Sequence, residues 1–239
     1  MSLRLIRFDR VGSTMDVVHE LAGQGAPAGT TVIAGEQLTG RGARGRSWHS
    51  PPGGLWMSVL YRPAVLGGLE VISLRVGLAL AAALDPFAPA RLQLKWPNDL
   101  ILLGRKVGGI LCEARWQGGQ PGWVAVGVGI NVRNPIPAEL QRVATSLGQH
   151  RPELMLDDLI SPVAMALNGV DLETERLSAT ELEHFASRDW LLGREIREPL
   201  VGTVTGLAPD GTLVVRTTEG GDRSLRTGSV ELVGASSTE

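Results

Sequence analysis

Gly40-Arg41-Gly42-Ala43-Arg44-Gly45-Arg46 places three arginines and three glycines in seven residues. Glycine admits positive φ and lets the backbone approach a ligand closely, while each guanidinium offers a planar fork of donors suited to phosphate or carboxylate. The run therefore has the composition of an anion-binding loop. Thr30-Thr31-Val32-Ile33-Ala34 precedes it. Beyond Pro51-Pro52-Gly53-Gly54 comes Leu55-Trp56-Met57-Ser58-Val59-Leu60-Tyr61, and both flanking runs read as strands. A basic loop carried between two strands is a common placement for binding. Arginine-glycine runs also occur in nucleic-acid-binding segments, so the loop alone leaves both readings open.

Further out, Leu3 to Phe8 alternates like an edge strand, and Ser13 reads as the N-cap of a helix through Val17, Val18 and Leu21 that Gly23 or Gly25 stops. Plain capping accounts for the hydroxyls of Ser13 and Thr14 as well as ligand binding does. Leu69 to Leu84 predicts a buried helix, Arg91 to Lys95 a strand, and Trp96-Pro97-Asn98-Asp99 a sharp turn. Strands are expected over Lys106–Trp116 and Trp123–Val132, joined through Gly118–Gly122. The glycines of Gly127-Val128-Gly129-Ile130-Asn131 leave room for a close neighbour such as a nucleotide, or for tight strand packing. Pro135 to Trp190 reads as helical, with one helix led by Asp157-Asp158 and another opening near Ala179 and running to Trp190. Beyond Gly193, short alternating runs at Val201–Val204, Thr212–Arg216 and Val230–Val233 predict a small β-barrel, followed by a loose tail from Gly234.

With 239 residues, 43 % of them hydrophobic, the chain has ample material for a core, and a net charge of -2 argues against a surface that grips nucleic acid throughout. One cysteine excludes an internal disulfide, and four scattered histidines lack metal-ligand spacing. The sequence lacks a signal-peptide core and any apolar run of membrane-spanning length, which predicts a cytoplasmic protein with no membrane partner. Of the 23 basic residues only Lys95 and Lys106 are lysines. Both fall in motif-like stretches, where a compact, movable ammonium does what a planar guanidinium cannot.

These stretches together resemble the biotin protein ligases. Ser13-Thr14 is similar to that family's biotin-contacting pair, and Gln37 with Gly40 to Arg46 and Trp48 to its glycine-arginine signature. Lys95-Trp96-Pro97-Asn98-Asp99, Lys106-Val107-Gly108-Gly109-Ile110-Leu111 and Gly129-Ile130-Asn131 resemble three further hallmarks in family order.

The resemblance implies an α+β fold. A mixed β-sheet catalytic domain flanked by helices, like class II aminoacyl-tRNA synthetases, would occupy residues 1–193, and a small SH3-like β-barrel residues 194–239. It implies two substrates, ATP and biotin, with Mg²⁺ near Asp99 and Asn98. Biotin would contact Ser13, Thr14, Gln37, Gly40, Arg41, Gly42, Ala43, Lys106 and Gly108, and ATP would contact Arg44, Arg46, Trp48, Lys95, Asn98 and Asn131. Lys106, Arg41 and Asp99 would take the catalytic roles. The implied partner is the biotin carboxyl carrier domain of acetyl-CoA carboxylase or a related carboxylase. No DNA partner is expected, because the catalytic strand starts within the first residues, and a homodimer is one possible assembly. A lipoate-type ligase and a non-catalytic nucleotide- or RNA-binding module are the alternative readings.

The sequence departs from the family at two points. Met15 follows the Ser-Thr pair where a polar residue is common, and Ala43 stands where the signature commonly has arginine. Loss of a charged hydrogen bond beside the adenylate would weaken retention of the intermediate by about 1–3 kcal/mol. Ala43→Arg is therefore expected to reduce labelling of a lysine-rich bystander protein, and equal labelling by both forms would refute this.

Overall fold

The structure is a computed structural model that describes residues 4–64, 68–117 and 120–233. Its first sheet has seven strands in the order β1 (Arg4–Val11), β2 (Thr30–Gln37), β3 (Leu55–Tyr61), β7 (Gln120–Ile130), β6 (Arg105–Gln117), β5 (Asp99–Leu102) and β4 (Gln93–Lys95). The sheet is mixed: β1 and β2 run parallel through the crossover helix α1 (Thr14–Gly23), and the other pairs are antiparallel. Helices α2 (Leu69–Leu84), α3 (Leu156–Asn168) and α4 (Ala179–Ala186) follow. A second, antiparallel sheet holds β8 (Glu195–Glu198), β9 (Gly202–Leu207), β10 (Leu213–Thr217), β11 (Asp222–Leu225) and β12 (Glu231–Leu232). No helix of the described residues is long and apolar enough to cross a membrane.

The two faces of the large sheet differ because successive side chains of a strand point opposite ways. Along β7, Val124, Val126, Val128 and Ile130 enter the main core together with Leu74, Leu80 and Leu84 of α2 and Leu159 and Val163 of α3. The alternate residues Trp123, Ala125, Gly127 and Gly129 face α1 and shrink toward the end of the strand. Trp123 and Ala125 pack with Met15, Val18 and Ala22 of α1, and a Cβ on Gly127 would meet the Met15 sulfur at 2.7 Å. One face is therefore filled by branched side chains, and the other thins into a shelf.

The second sheet shares that main core, contributing Ile196, Val204, Leu213 and Val215. Gly211, at φ +82°, brings its turn against Val71 and Leu74 of α2, and its carbonyl accepts a 2.9 Å hydrogen bond from Trp96 Nε1.

Several expectations require correction. β5 follows directly on the Trp96–Asn98 turn, and the turn-forming Asn98 and Asp99 concealed it. β8 and β11 are largely polar and held by main-chain pairing, so they carry little apolar signal. No α-helix covers Pro135–Met155. Instead, Lys106 N–H donates to the Val143 carbonyl at 2.7 Å, and Thr145 N–H donates to the Lys106 carbonyl at 2.9 Å. The α4 helix ends at Ala186 rather than Trp190, because the next residues pair with β4: Leu94 N–H bonds to the Arg188 carbonyl and Trp190 N–H to the Leu94 carbonyl, both at 2.9 Å. The Gly118-Gly119 part of the expected strand connection, and the tail from Gly234, lie outside the described residues.

That pairing buries the carboxylate of Asp189. Oδ1 accepts from Leu191 N–H at 2.8 Å, whereas Oδ2 is buried without a partner. Burial pushes the Asp189 carboxyl up to about 6. A carboxyl raised in the folded state stabilises the fold at low pH, where both states are protonated, and loses that contribution as pH rises through about 6. Such a displacement is worth roughly 3 kcal/mol. Asp189→Asn is expected to gain stability relative to the unmodified chain by about that amount between pH 4 and pH 7 in denaturant titrations. A difference that stays constant across that range would overturn the assignment.

Candidate active site

Ser13 is extended, at φ −150° and ψ 140°, and its hydroxyl accepts from Met15 N–H at 3.3 Å, so it caps α1. Thr14 is engaged elsewhere. Its N–H and hydroxyl both donate to Gln37 Oε1, at 2.9 and 3.0 Å, and its oxygen lies 2.7 Å from the Ser58 hydroxyl. Gln37 Nε2 donates to Ser50 Oγ at 2.9 Å, and Ser50 Oγ donates to the Trp48 carbonyl at 2.9 Å. Gly40 fits inside this network because a Cβ there would overlap the Trp48 carbonyl and the Ser50 hydroxyl. Ser13, Thr14, Gln37 and Gly40, far apart in sequence, thus form one polar wall.

The glycine-arginine loop folds as a short clasp. Gly42 N–H donates to the Arg46 carbonyl at 2.7 Å, Trp48 N–H donates to the Gly40 carbonyl at 2.8 Å, and Arg41 bridges to Ser47. The chain turns through Arg44, at φ 62°, and Gly45, at φ 73°. Arg41 was expected to contact biotin and take a catalytic role. Its guanidinium instead engages Asp16 of α1 and Glu113 of β6, the latter at 3.5 Å.

At the end of the clasp the Trp48 indole lies on the glycine shelf. Gly109 and Gly129 are paired in register, and Cβ atoms there would meet Trp48 Cζ3 at 3.3 Å and Nε1 at 2.5 Å. The space left by these glycines is therefore filled by the protein's own tryptophan, whose Nε1 is buried without a partner. Lys106 Nζ stands 4.9 Å from the indole centroid and 2.6 Å from Asp99 Oδ1. At that distance the ammonium and the carboxylate form a close ion pair. Gly108 is set by packing between strands, since a Cβ there would meet the Gly129 carbonyl at 2.9 Å and Leu100 at 3.0 Å.

Beside Asp99 opens a cavity of about 190 Å³. Arg44, Arg46, Lys95, Asn98 and Ala43 line it, as do Glu70 and Ser73 of α2 and Gly228, Ser229 and Val230 of the segment between β11 and β12. Burial lowers the Lys95 ammonium below the ordinary lysine range. Asn98 Nδ2 donates to the Ile110 carbonyl at 2.7 Å, which fixes its amide. Asn131, expected at the nucleotide, is instead used structurally: Nδ2 donates to the Thr145 carbonyl at 3.1 Å, and Oδ1 accepts from Asn134 at 3.1 Å. The walls from α2 and the segment between β11 and β12, and the carboxylates facing Arg41, had no motif that could have revealed them.

The sequence pattern of the Biotin/lipoate A/B protein ligase family matches residues 7–131, which carry the polar wall, the clasp, Lys106 and Asp99. The chain belongs to that family.

It is 40 % identical over 154 residues to the bifunctional ligase/repressor BirA of Bacillus subtilis, covering 62 % of this chain and 47 % of that protein. The chain thus spans about half the length of that relative. It is 32 % identical over 213 residues to a biotin–[acetyl-CoA-carboxylase] ligase of Mycobacterium tuberculosis, covering 84 % of this chain and 77 % of that one. Its fold is similar to that of the biotin protein ligase of Aquifex aeolicus in complex with biotin and ATP. There the TM-score is 0.81 and the identity 28 %, over 96 % of this chain and 98 % of that one.

For this member of the ligase family, Gly129→Ala is expected to lift Trp48 off the shelf. The emission assigned to Trp48, obtained by subtracting the corresponding Trp48→Phe spectrum, should shift to longer wavelength as the indole meets water. An unshifted band would mean that the indole does not rest on these glycines.

Proposed function

We propose that this chain is an ATP-dependent biotin protein ligase. It activates biotin as biotinyl-5'-AMP with release of pyrophosphate, then transfers the biotinyl group to a lysine of a carboxylase carrier domain. One observation carries the reading: Lys106 stands between a neutral polar wall and a basic cavity, paired with Asp99 at 2.6 Å. The relatives named as biotin ligases, and the solved relative holding biotin and ATP, support it.

Biotin's ureido ring is neutral and calls for hydrogen bonds, which Ser13, Thr14 and Gln37 supply. Its carboxylate then points toward Lys106, and the ATP phosphates enter the cavity beside Arg44, Arg46 and Lys95. A carboxylate oxygen attacks the α-phosphorus, the bond from that phosphorus to the oxygen bridging it to the β-phosphate breaks, and pyrophosphate leaves with the electron pair. Two anions meet in this step, so Lys106 lowers its barrier by holding positive charge where they approach. In the second step the neutral amine of the carrier lysine attacks the acyl carbon, the bond to the phosphate oxygen breaks and AMP departs. Asp99, beside Lys106, helps to accept the proton that the amine loses.

Asp99 and Asn98 are hard oxygen donors suited to Mg²⁺, and Asp99 Oδ1 already faces a cation, the Lys106 ammonium at 2.6 Å. Among the described residues no group of three or more His, Cys, Asp or Glu could hold a metal, so phosphate oxygens and water would complete the shell of an ion that screens phosphate charge. The C-terminal segment from residue 194 is read as a small SH3-like domain that closes the nucleotide cavity through Gly228–Val230; the five-stranded antiparallel sheet within residues 195–232 supports this.

ATP–pyrophosphate exchange with Mg²⁺ tests the first step. Exchange is expected with biotin, not with lipoate or without acid, and is expected to fall by about two orders of magnitude in Lys106→Ala. Exchange with lipoate alone, or undiminished exchange in the variant, would refute the assignment.

A further inference from the structure

Arg41 opens the clasp, immediately after the glycine that abuts Gln37 and Ser50. Its carboxylate partners differ in how firmly they are held. Asp16 accepts a hydrogen bond from Arg41 Nη1 but is exposed on the first turn of α1, with 55 % of its side chain open to solvent, and such a pair contributes little. Glu113 is 24 % exposed and is anchored from behind. Trp123 Nε1–H donates to His19 Nδ1 at 2.9 Å, and an indole nitrogen can only donate. His19 Nδ1 is therefore the acceptor, and Nε2–H donates to Glu113 Oε2 at 2.8 Å. A hydrogen-bonded chain rooted in the packing beneath α1 thus aims one carboxylate at the loop. The other cation close to it, Arg115, stands off at 3.8 Å.

We infer that Glu113 is a positioning residue for the ligase reaction, acting through Arg41 to hold the glycine-arginine clasp against the sheet and so set the wall made by Gly40 and Gln37. Arg41 then serves to fasten the loop, while the charge needed at phosphorus comes from Lys106 and the cavity arginines. The inference deepens the proposed function, but its structural half does not depend on it. Glu113→Gln keeps the anchor, because a glutamine oxygen still accepts from His19 Nε2–H while the charge facing Arg41, and the more distant Arg115, is lost.

The first readout needs no ligand: limited trypsin digestion of the intact chain, scored at Arg44 and Arg46 relative to cleavage elsewhere. Glu113→Gln is expected to speed loop cleavage roughly threefold, the factor for losing one partly exposed ion pair. Arg41→Gln changes a surface side chain and should fold whatever becomes of the Glu113 variant. It is expected to give the same acceleration, and the double variant no more than either single one. An unchanged rate in Arg41→Gln, or additive effects in the double variant, would overturn the proposal. The second readout is kinetic: KM for biotin rises about fivefold while kcat of exchange stays within about twofold, the pattern of lost uniform binding. A fall in kcat with unchanged KM would overturn the positioning role. No exchange in any form, together with accelerated loop cleavage, would refute the ligase reading and leave the fastening intact.

Discussion

The alternation along β7 is the constraint on which the rest of the structure depends. A strand gives its odd and even residues to opposite faces, so one run of sequence must serve both a core and a site. Val124, Val126, Val128 and Ile130 meet the first demand, each buried branched side chain contributing about 1.5–3 kcal/mol of apolar burial. Gly127 and Gly129 meet the second by offering nothing. Because Gly109 of β6 lies directly opposite Gly129, the missing side chains merge into one shelf. Met15 and Trp48 come down on it from α1 and from the clasp, bringing a helix start and a loop onto the same face. Gly108 to Glu113 of β6 obeys the same rule: Ile110 and Cys112 face the main core, whereas Gly109, Leu111 and Glu113 face α1 and the clasp.

Charge is then distributed around this face by type. The guanidinium of Arg41 is used as a fastener between carboxylates, a task suited to a planar donor fork. Lys106 occupies the centre, where a compact ammonium contacts Asp99 and the Trp48 ring at once. Lys95 lies deeper in the cavity wall, 5.5 Å from the Trp190 centroid, and burial makes its charge harder to hold. The two lysines among many arginines therefore sit where space is short and the cation must fit between other groups, and the exposed loop carries arginine.

Much of this was legible in the sequence, for identifiable reasons. β3 and α2 were readable to their ends because a predominantly apolar run, bounded by glycine and proline, marks a largely buried element. The polar wall was readable as a set of residue types, since Ser13, Thr14, Gln37 and Gly40 each belong to a distinctive stretch. What the sequence withheld were relations across elements. Glu113 lies in a strand that reads as packing, and nothing local marks it as the partner of Arg41. Asn131 belongs to a motif yet is spent on Thr145 and Asn134, a use visible only once residues 143–145 are seen to run beside Lys106. The polar strands β8 and β11 were hidden because backbone pairing leaves no trace in apolar periodicity.

The second sheet shows why such relations matter to the site. It shares one core with α2 and α3, and Trp96 spans the join by donating to Gly211 while its own turn precedes Asn98 and Asp99. The turn that presents Asn98 and Asp99 to the cavity is thus tied on one side to β4, which pairs with residues 188–190, and on the other to the second sheet. Gly228 to Val230 then close the cavity opposite Lys95 and Asp99. A displacement of the second sheet would move the cavity wall and, through Trp96, the carboxylate beside Lys106 together. Packing has therefore placed the cavity side of the site under the control of both sheets, whereas the polar wall is held by α1, the clasp and the strands of the first sheet.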